Sequence, residues 1–170
     1  NKYPGDKAYV TSLNKFKILP GVKKAIALLT KSGFKIFVAS NQAGIGGGIY
    51  SQKTLDKITS YMLSEIRKAG GHIEKVYYCT HHKYAGCKCR KPRTGMVKKA
   101  VREFGVSLKN ASFIGDTIRD VHTAKNAGIK SILVFSGKEK LKNIDNWEVV
   151  PDLVFKDLLE AAKFLKRDTL

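Results

Sequence analysis

The chain has no long apolar stretch. Its longest uninterrupted run, Ala25 to Leu29, is five residues, against the ~20 that a helix needs to span a bilayer, which excludes a transmembrane helix. Acidic residues are scarce, 14 against 32 Lys+Arg, for a formal charge of +18. Like charges never gather into a block of five or six, so there is no basic tail. The chain has only three cysteines, and an odd number is poorly suited to a disulfide plus a spare thiol in an oxidising compartment. Internal repeats, low-complexity linkers and a recognisable secretory leader are also missing, although the chain opens on Asn1 rather than Met.

What is present describes one globular domain. A length of 170 residues with 43% hydrophobic residues suits a single core and does not suit a disordered chain. The positive charge suits an anionic partner, with nucleic acid, an acidic membrane surface and phosphorylated small molecules as the candidate classes. Basic doublets such as Lys23-Lys24 and Lys98-Lys99 are scattered, which is also the pattern of a solvated surface.

Hydrophobic periodicity alternates helices with short apolar strands. Val22, Ala25, Ile26 and Leu29 mark a helix that stops near Gly33, and 34–39 reads as a buried strand. Ser51 is placed to cap a helix carrying Leu55, Ile58, Met62 and Ile66, ended by Gly70-Gly71. Strand-like segments at 73–78, 113–114, 129–135 and 153–155 alternate with helices at 94–104, 118–126 and 157–165. This order predicts an α/β fold of Rossmann-like type, a mainly parallel sheet with helices on both faces. In such sheets chemistry collects at the carboxyl ends of the strands, so the loops after Ala39, Tyr78 and Ile114 are the candidates.

The loop after Tyr78 holds every cysteine and two of the four histidines: Cys79-Thr80-His81-His82-Lys83-Tyr84-Ala85-Gly86-Cys87-Lys88-Cys89. Three thiolates and an imidazole at this spacing can close on one tetrahedral Zn²⁺, and four protein ligands leave no open position, so the metal is structural. The ligands are Cys79, His81, Cys87 and Cys89. Spacing leaves His82 as an alternative to His81, with His81 preferred. Arg90 and Lys91 follow at once, placed to meet a phosphate with defined geometry; alone they read as ordinary surface cations. The loop after Ala39, Ser40-Asn41-Gln42-Ala43-Gly44-Ile45-Gly46-Gly47-Gly48, can present backbone N–H groups to an oxyanion, or can be a flexible connector. After Ile114, Asp116 is placed to bind Mg²⁺ or to cap the next helix, Asp120 is placed to orient neighbours, and His122 reads as a packed or surface histidine.

Taken together, these segments resemble the haloacid-dehalogenase-like phosphatases, in particular the zinc-containing group of heptose-1,7-bisphosphate and histidinol-phosphate phosphatases. The likeness runs through Ile18-Leu19-Pro20-Gly21-Val22, Val38-Ala39-Ser40-Asn41-Gln42, Tyr78-Cys79-Thr80-His81-His82, Cys87-Lys88-Cys89-Arg90-Lys91-Pro92, Ile114-Gly115-Asp116 and Pro151-Asp152. It implies a HAD-type fold with a short zinc loop and no large cap domain, and a Mg²⁺-dependent phosphomonoesterase working through an aspartyl-phosphate. In that reading the Ser40 hydroxyl binds the transferring phosphoryl group. The Asn41 backbone, with Gln42 and Ala43 beside it, helps hold that group, Lys91 stabilises its charge, Arg90 recognises substrate, and Asp116 supplies a Mg²⁺ carboxylate.

Three departures accompany the likeness. The family's Asp-x-Asp-Gly-Thr motif, with its nucleophile and general acid/base, is absent, and no Asp-x-Asp occurs in the chain. The expectation is that this strand and loop lie upstream of Asn1 and that the 170 residues alone are inactive. Gly47 stands where many relatives carry Arg, and Thr117 where they often carry Lys or Arg. Ala8-Tyr9-Val10 resembles the family's Gly-Tyr-Val. The leading expectation is a monomeric, cytoplasmic phosphatase of a small phosphorylated metabolite, D-glycero-D-manno-heptose 1,7-bisphosphate ahead of histidinol phosphate. A nucleic-acid end phosphatase and a non-catalytic zinc-stabilised binding module are the alternatives.

Overall fold

The computed structural model describes residues 9–137 and 147–167; Asn1 and Ala8, named above, lie outside them. The elements run α1 (Val22–Lys31), β1 (Phe37–Asn41), α2 (Ala43–Gly46), α3 (Gln52–Lys68), β2 (Lys75–Cys79), α4 (Gly95–Phe104), β3 (Ser112–Gly115), α5 (Ile118–Ala127), β4 (Lys130–Val134), β5 (Leu153–Phe155) and α6 (Leu158–Arg167). A 3-10 turn, Leu13–Lys15, precedes them. The fold is α/β, with every strand pairing parallel.

The side chains of β1 alternate between two layers of helix, as a strand's period of two requires. Phe37 and Ala39 pack against Tyr77, Cys79, Met96 and Ala100, under α4. Ile36 and Val38 turn the other way, to Ile26, Ile66 and Ile73 under α1 and α3. A third cluster joins Ala25 and Leu29 of α1 to Ile132 and Val134 of β4 and to Ala161, Ala162 and Leu165 of α6. Helix α1 therefore covers both ends of the β-layer.

That layer is not one continuous ladder. Among the described residues β1 pairs with β2 and the order β3-β4-β5 forms a second sheet, with no bonded register between β1 and β3. Their exposure reflects this. In β4 the residues after Lys130 are all buried, whereas every residue of β1 and of β3 is only half-buried. Each of these two apolar strands has one ladder partner and one edge without a described partner.

Element limits differ from the sequence pattern in one place that matters. The apolar run 34–39 is not all strand. The Phe34 amide closes α1 on Leu29 O, and pairing begins at Phe37 opposite Lys75. The strand is thereby shifted toward its carboxyl end, and Ser40 and Asn41 belong to β1 itself, not to the loop after it.

Candidate active site and metal centre

Cys79 ends β2 with no exposed surface. Its Sγ lies 3.5 Å from that of Cys87, and the Cys87 and Cys89 sulfurs are 3.6 Å apart. His81 Nδ1 stands 3.7 Å from Cys79 Sγ and 3.2 Å from Cys89 Sγ. All three cysteines are free, and the four donor atoms lie within 4.8 Å of one another. Tetrahedral bonds of ~2.3 Å put sulfurs roughly 3.8 Å apart, so the donor set fits a single metal ion. His82 is turned elsewhere: its ring lies against Tyr84, 5.4 Å between centroids. Burial, with hydrogen bonds from Cys89 and Cys87, pushes the Cys79 thiol up to about 12, so metal binding there must displace a proton.

Two glycines let the loop fold this closely. A Cβ on Gly46 would sit 2.3 Å from His82 N and 2.6 Å from Thr80 O; one on Gly95 would sit 2.4 Å from Lys88 O. The loop is thus packed against α2 on one side and against the start of α4 on the other. Arg93 Nη1 donates to Cys87 O at 2.5 Å, tying the exit of the loop to its metal-ligating part.

That exit carries Arg90 and Lys91. Lys91 Nζ donates to Asp120 Oδ1 at 2.6 Å, with both side chains largely buried, and passes 5.5 Å from the centroid of the Phe113 ring in β3. Asn41 holds the backbone of the same lysine: its Oδ1 accepts from Lys91 N at 3.0 Å, and its Nδ2 donates to Lys91 O at 3.1 Å. Arg90 Nη1 is buried and makes no hydrogen bond among the described residues.

Ser40 is reached through a second chain. The Tyr50 hydroxyl donates to Gln42 Oε1, and Gln42 Nε2 donates to Ser40 Oγ at 3.0 Å. Because Ser40 oxygen accepts there, its own proton is left to donate outward. Burial, with Tyr9 and Tyr78 nearby, pushes the Tyr50 hydroxyl up to about 12, which keeps it a donor. The side chain of Gln42 is thus committed inside the protein. Ala43 is buried at the start of α2. The glycine-rich segment is not an open cradle: the amides of Gly47, Gly48 and Ile49 bond back to Ala43, Ile45 and Gly44.

Asp116 follows β3, and it is not the cap of α5. That position is Thr117, in a capping box with Asp120. Asp120 Oδ2 accepts from the amides of Asp116 and Thr117 at 3.2 and 3.1 Å and from the Thr117 hydroxyl at 2.7 Å. One buried carboxylate therefore holds both Lys91 and the Asp116 backbone. The structure gathers Asn41, Lys91, Asp116 and Asp120 through direct bonds. Of these, Asp120 is the residue whose importance spacing understated, and Tyr50 gave no sequence signal at all.

The HAD-hydrolase-like family model matches residues 88–161, which span the metal-loop exit, Asp116 and α5. Over 95% of this chain and 88% of its own length, the D-glycero-alpha-D-manno-heptose-1,7-bisphosphate 7-phosphatase of Campylobacter jejuni is 35% identical. The D-glycero-beta-D-manno-heptose-1,7-bisphosphate 7-phosphatase of Pseudomonas putida is 32% identical over 93% of this chain and 90% of its own. The crystal structure of D,D-heptose 1,7-bisphosphate phosphatase from B. bronchiseptica, complexed with magnesium and phosphate, superposes with a TM-score of 0.89 at 32% identity, covering 96% of this chain and 91% of that one. The chain belongs to the HAD-like hydrolases and, within them, to the family of the heptose-bisphosphate phosphatases. No helix among the described residues is long and apolar enough to cross a membrane.

Proposed function

We propose that this protein hydrolyses the 7-phosphomonoester of a D-glycero-D-manno-heptose 1,7-bisphosphate. The observation that carries the reading is Lys91 fixed between Asn41 at the end of β1 and Asp120, which also holds the Asp116 backbone, in a chain whose relatives are named for this sugar. Phosphoryl transfer depends on positioned cations and donors more than on covalent machinery. Here Lys91 neutralises the transferring group, the Ser40 hydroxyl donates to one of its oxygens, and Arg90, with its buried unsatisfied Nη1, binds another anionic part of the substrate.

Asp116, a hard oxygen donor after a strand end, would hold Mg²⁺ together with the substrate phosphate. The ion supplies charge neutralisation. The Cys79, His81, Cys87 and Cys89 set would hold Zn²⁺, which keeps the Arg90-Lys91 segment rigid and requires thiolates preserved by a reducing, cytoplasmic compartment. The working unit is a monomer.

The reading implies an aspartyl-phosphate: a carboxylate takes the phosphoryl group as the ester P–O bond breaks, the sugar oxygen leaves as a protonated hydroxyl, and water then releases phosphate. The test is phosphate release in Mg²⁺ by the complete gene product, from both anomers of the heptose bisphosphate, histidinol phosphate and a 5′-phosphorylated oligonucleotide. Turnover of the heptose bisphosphate well above the others is expected. Preference for the oligonucleotide or for histidinol phosphate, or no turnover at all, rejects the assignment.

A further inference from the structure

We infer that Asn41 and Asp120 are positioning residues that hold Lys91 from opposite ends, Asn41 by the backbone and Asp120 by the ammonium, so that the phosphate-facing cation is fixed before substrate arrives. The inference rests on the phosphatase reading for its kinetic consequence, and on geometry alone for the holding itself.

Asn41 lies 50 residues before Lys91 and Asp120 lies 29 after it, one on a strand and the other on a helix. Asn41 is the last residue of β1, opposite Cys79 in the ladder with β2. Asp120 is in the first turn of α5, behind β3. The Asn41 amide presents one acceptor and one donor to the N–H and C=O of Lys91, the arrangement a neighbouring strand would offer. That backbone contact sets where the side chain starts, and the bond to Asp120 Oδ1 at 2.6 Å sets where it ends. An ammonium has three donors, so the Asp120 bond leaves two for a phosphoryl group. The other oxygen of Asp120 is saturated by the Asp116 and Thr117 amides and the Thr117 hydroxyl, which stops the carboxylate from following the lysine. The same three bonds place the Asp116 backbone relative to Lys91. The chain Asn41, Lys91, Asp120, Asp116 is thus a polar strap across the β1 and β3 edges, and the cation it holds would otherwise sit on a flexible four-carbon stem. Fixing it in advance removes reorganisation from the transition state.

The experiment uses the full-length, metal-loaded protein and the variants Asn41→Ala, Asn41→Asp and Asp120→Asn. Hydrogen exchange at the Lys91 amide reads the Asn41 bond without any substrate. Asn41→Ala should speed it by at least about tenfold with the amides of β4 unchanged, and unchanged exchange overturns the inference whatever the substrate. In turnover of the heptose bisphosphate, Asn41→Ala should lower kcat by about 10- to 100-fold with KM within about threefold. Asn41→Asp, which keeps the acceptor, should fall between Asn41→Ala and the parent. Asp120→Asn, which keeps an oxygen for the amides and loses the ion pair, should lower kcat and, because both partners are largely buried, the thermal midpoint as well. In a Lys91→Ala background, Asn41→Ala should change kcat by less than about twofold, because its effect passes through the lysine. If it lowers activity by the same factor in both backgrounds, Asn41 acts on general structure and the inference is wrong. If the parent turns over no heptose bisphosphate, the phosphatase reading fails while the exchange result still decides the holding of Lys91.

Discussion

Replacing Tyr50 by Phe removes one oxygen and leaves the buried ring. Gln42 Oε1 then loses its donor, the amide is free to turn, and Ser40 oxygen is no longer obliged to accept from it. A neutral hydrogen bond contributes ~0.5–1.5 kcal/mol, so kcat of the full-length enzyme should fall about 2- to 12-fold, with little change in thermal midpoint. A steady-state comparison of the two proteins checks it, and an unchanged kcat removes Tyr50 from the Ser40 chain. Neither Tyr50 nor the Asn41 contact was legible beforehand, for different reasons. A hydrogen bond between residues 50 apart leaves no periodic trace, whereas Tyr50 is near Gln42 in sequence but looks like any other tyrosine in a glycine-rich loop. Ser40, Lys91 and Asp116 could be proposed from sequence because each stands just after a hydrophobic run or a cysteine cluster.

The segment from β2 to α4 was also readable as an element, since its four metal donors fall within eleven residues and their spacing is itself the geometry. What spacing could not decide was His81 against His82; it is His81 Nδ1 that lies beside the sulfurs of Cys79 and Cys89, while the His82 ring packs on Tyr84. Cys87→Ser should reduce tightly bound zinc from about one per chain to a fraction and speed hydrogen exchange in the Arg90-Lys91 segment, measured by metal analysis and by exchange. Retention of stoichiometric zinc by the variant would contradict the four-ligand set. The β4 and β5 pair carries a separate element-scale prediction. Asp152 accepts from Lys125 and, through Oδ2, from the Ser131 hydroxyl and amide at 2.6 and 2.7 Å, and Ser131 is fully buried. Lys125 first, then the Ser131 groups, holds the Asp152 carboxyl well below the usual carboxylate range. Because its folded pKa is depressed, its contribution is present above the unfolded value of ~3.9 and is lost as pH falls from there through the folded value. Asp152→Ala should lower stability by ~1–3 kcal/mol at pH 7, the cost of leaving the buried Ser131 groups unsatisfied, and the difference should shrink in acid. Urea denaturation at pH 7 and pH 3 measures both.

For the whole molecule, the α/β class and the parallel pairing followed from alternating strand and helix patterns, but a single sheet did not. Hydrophobic pattern reports that Phe37 to Ala39 and Phe113-Ile114 are strands; it cannot report which strands share a ladder, because pairing is a property of edges. The half-exposure of β1 and β3 makes that split visible. The net charge of +18 is mostly independent of the site, where only Arg90 and Lys91 are given phosphate roles. Steep salt dependence of KM for the sugar substrate is therefore not expected, and a KM that rises more than about tenfold between 50 and 200 mM salt would show that the basic surface steers substrate.

Among the described residues β1 and β3 each keep one edge without a strand partner, a row of main-chain donors and acceptors open to pairing. A peptide of matching pattern can dock on such an edge through main-chain bonds alone, and it should then slow hydrogen exchange at the outer amides of that strand. The same edges accept any strand that presents itself, including one from a second copy.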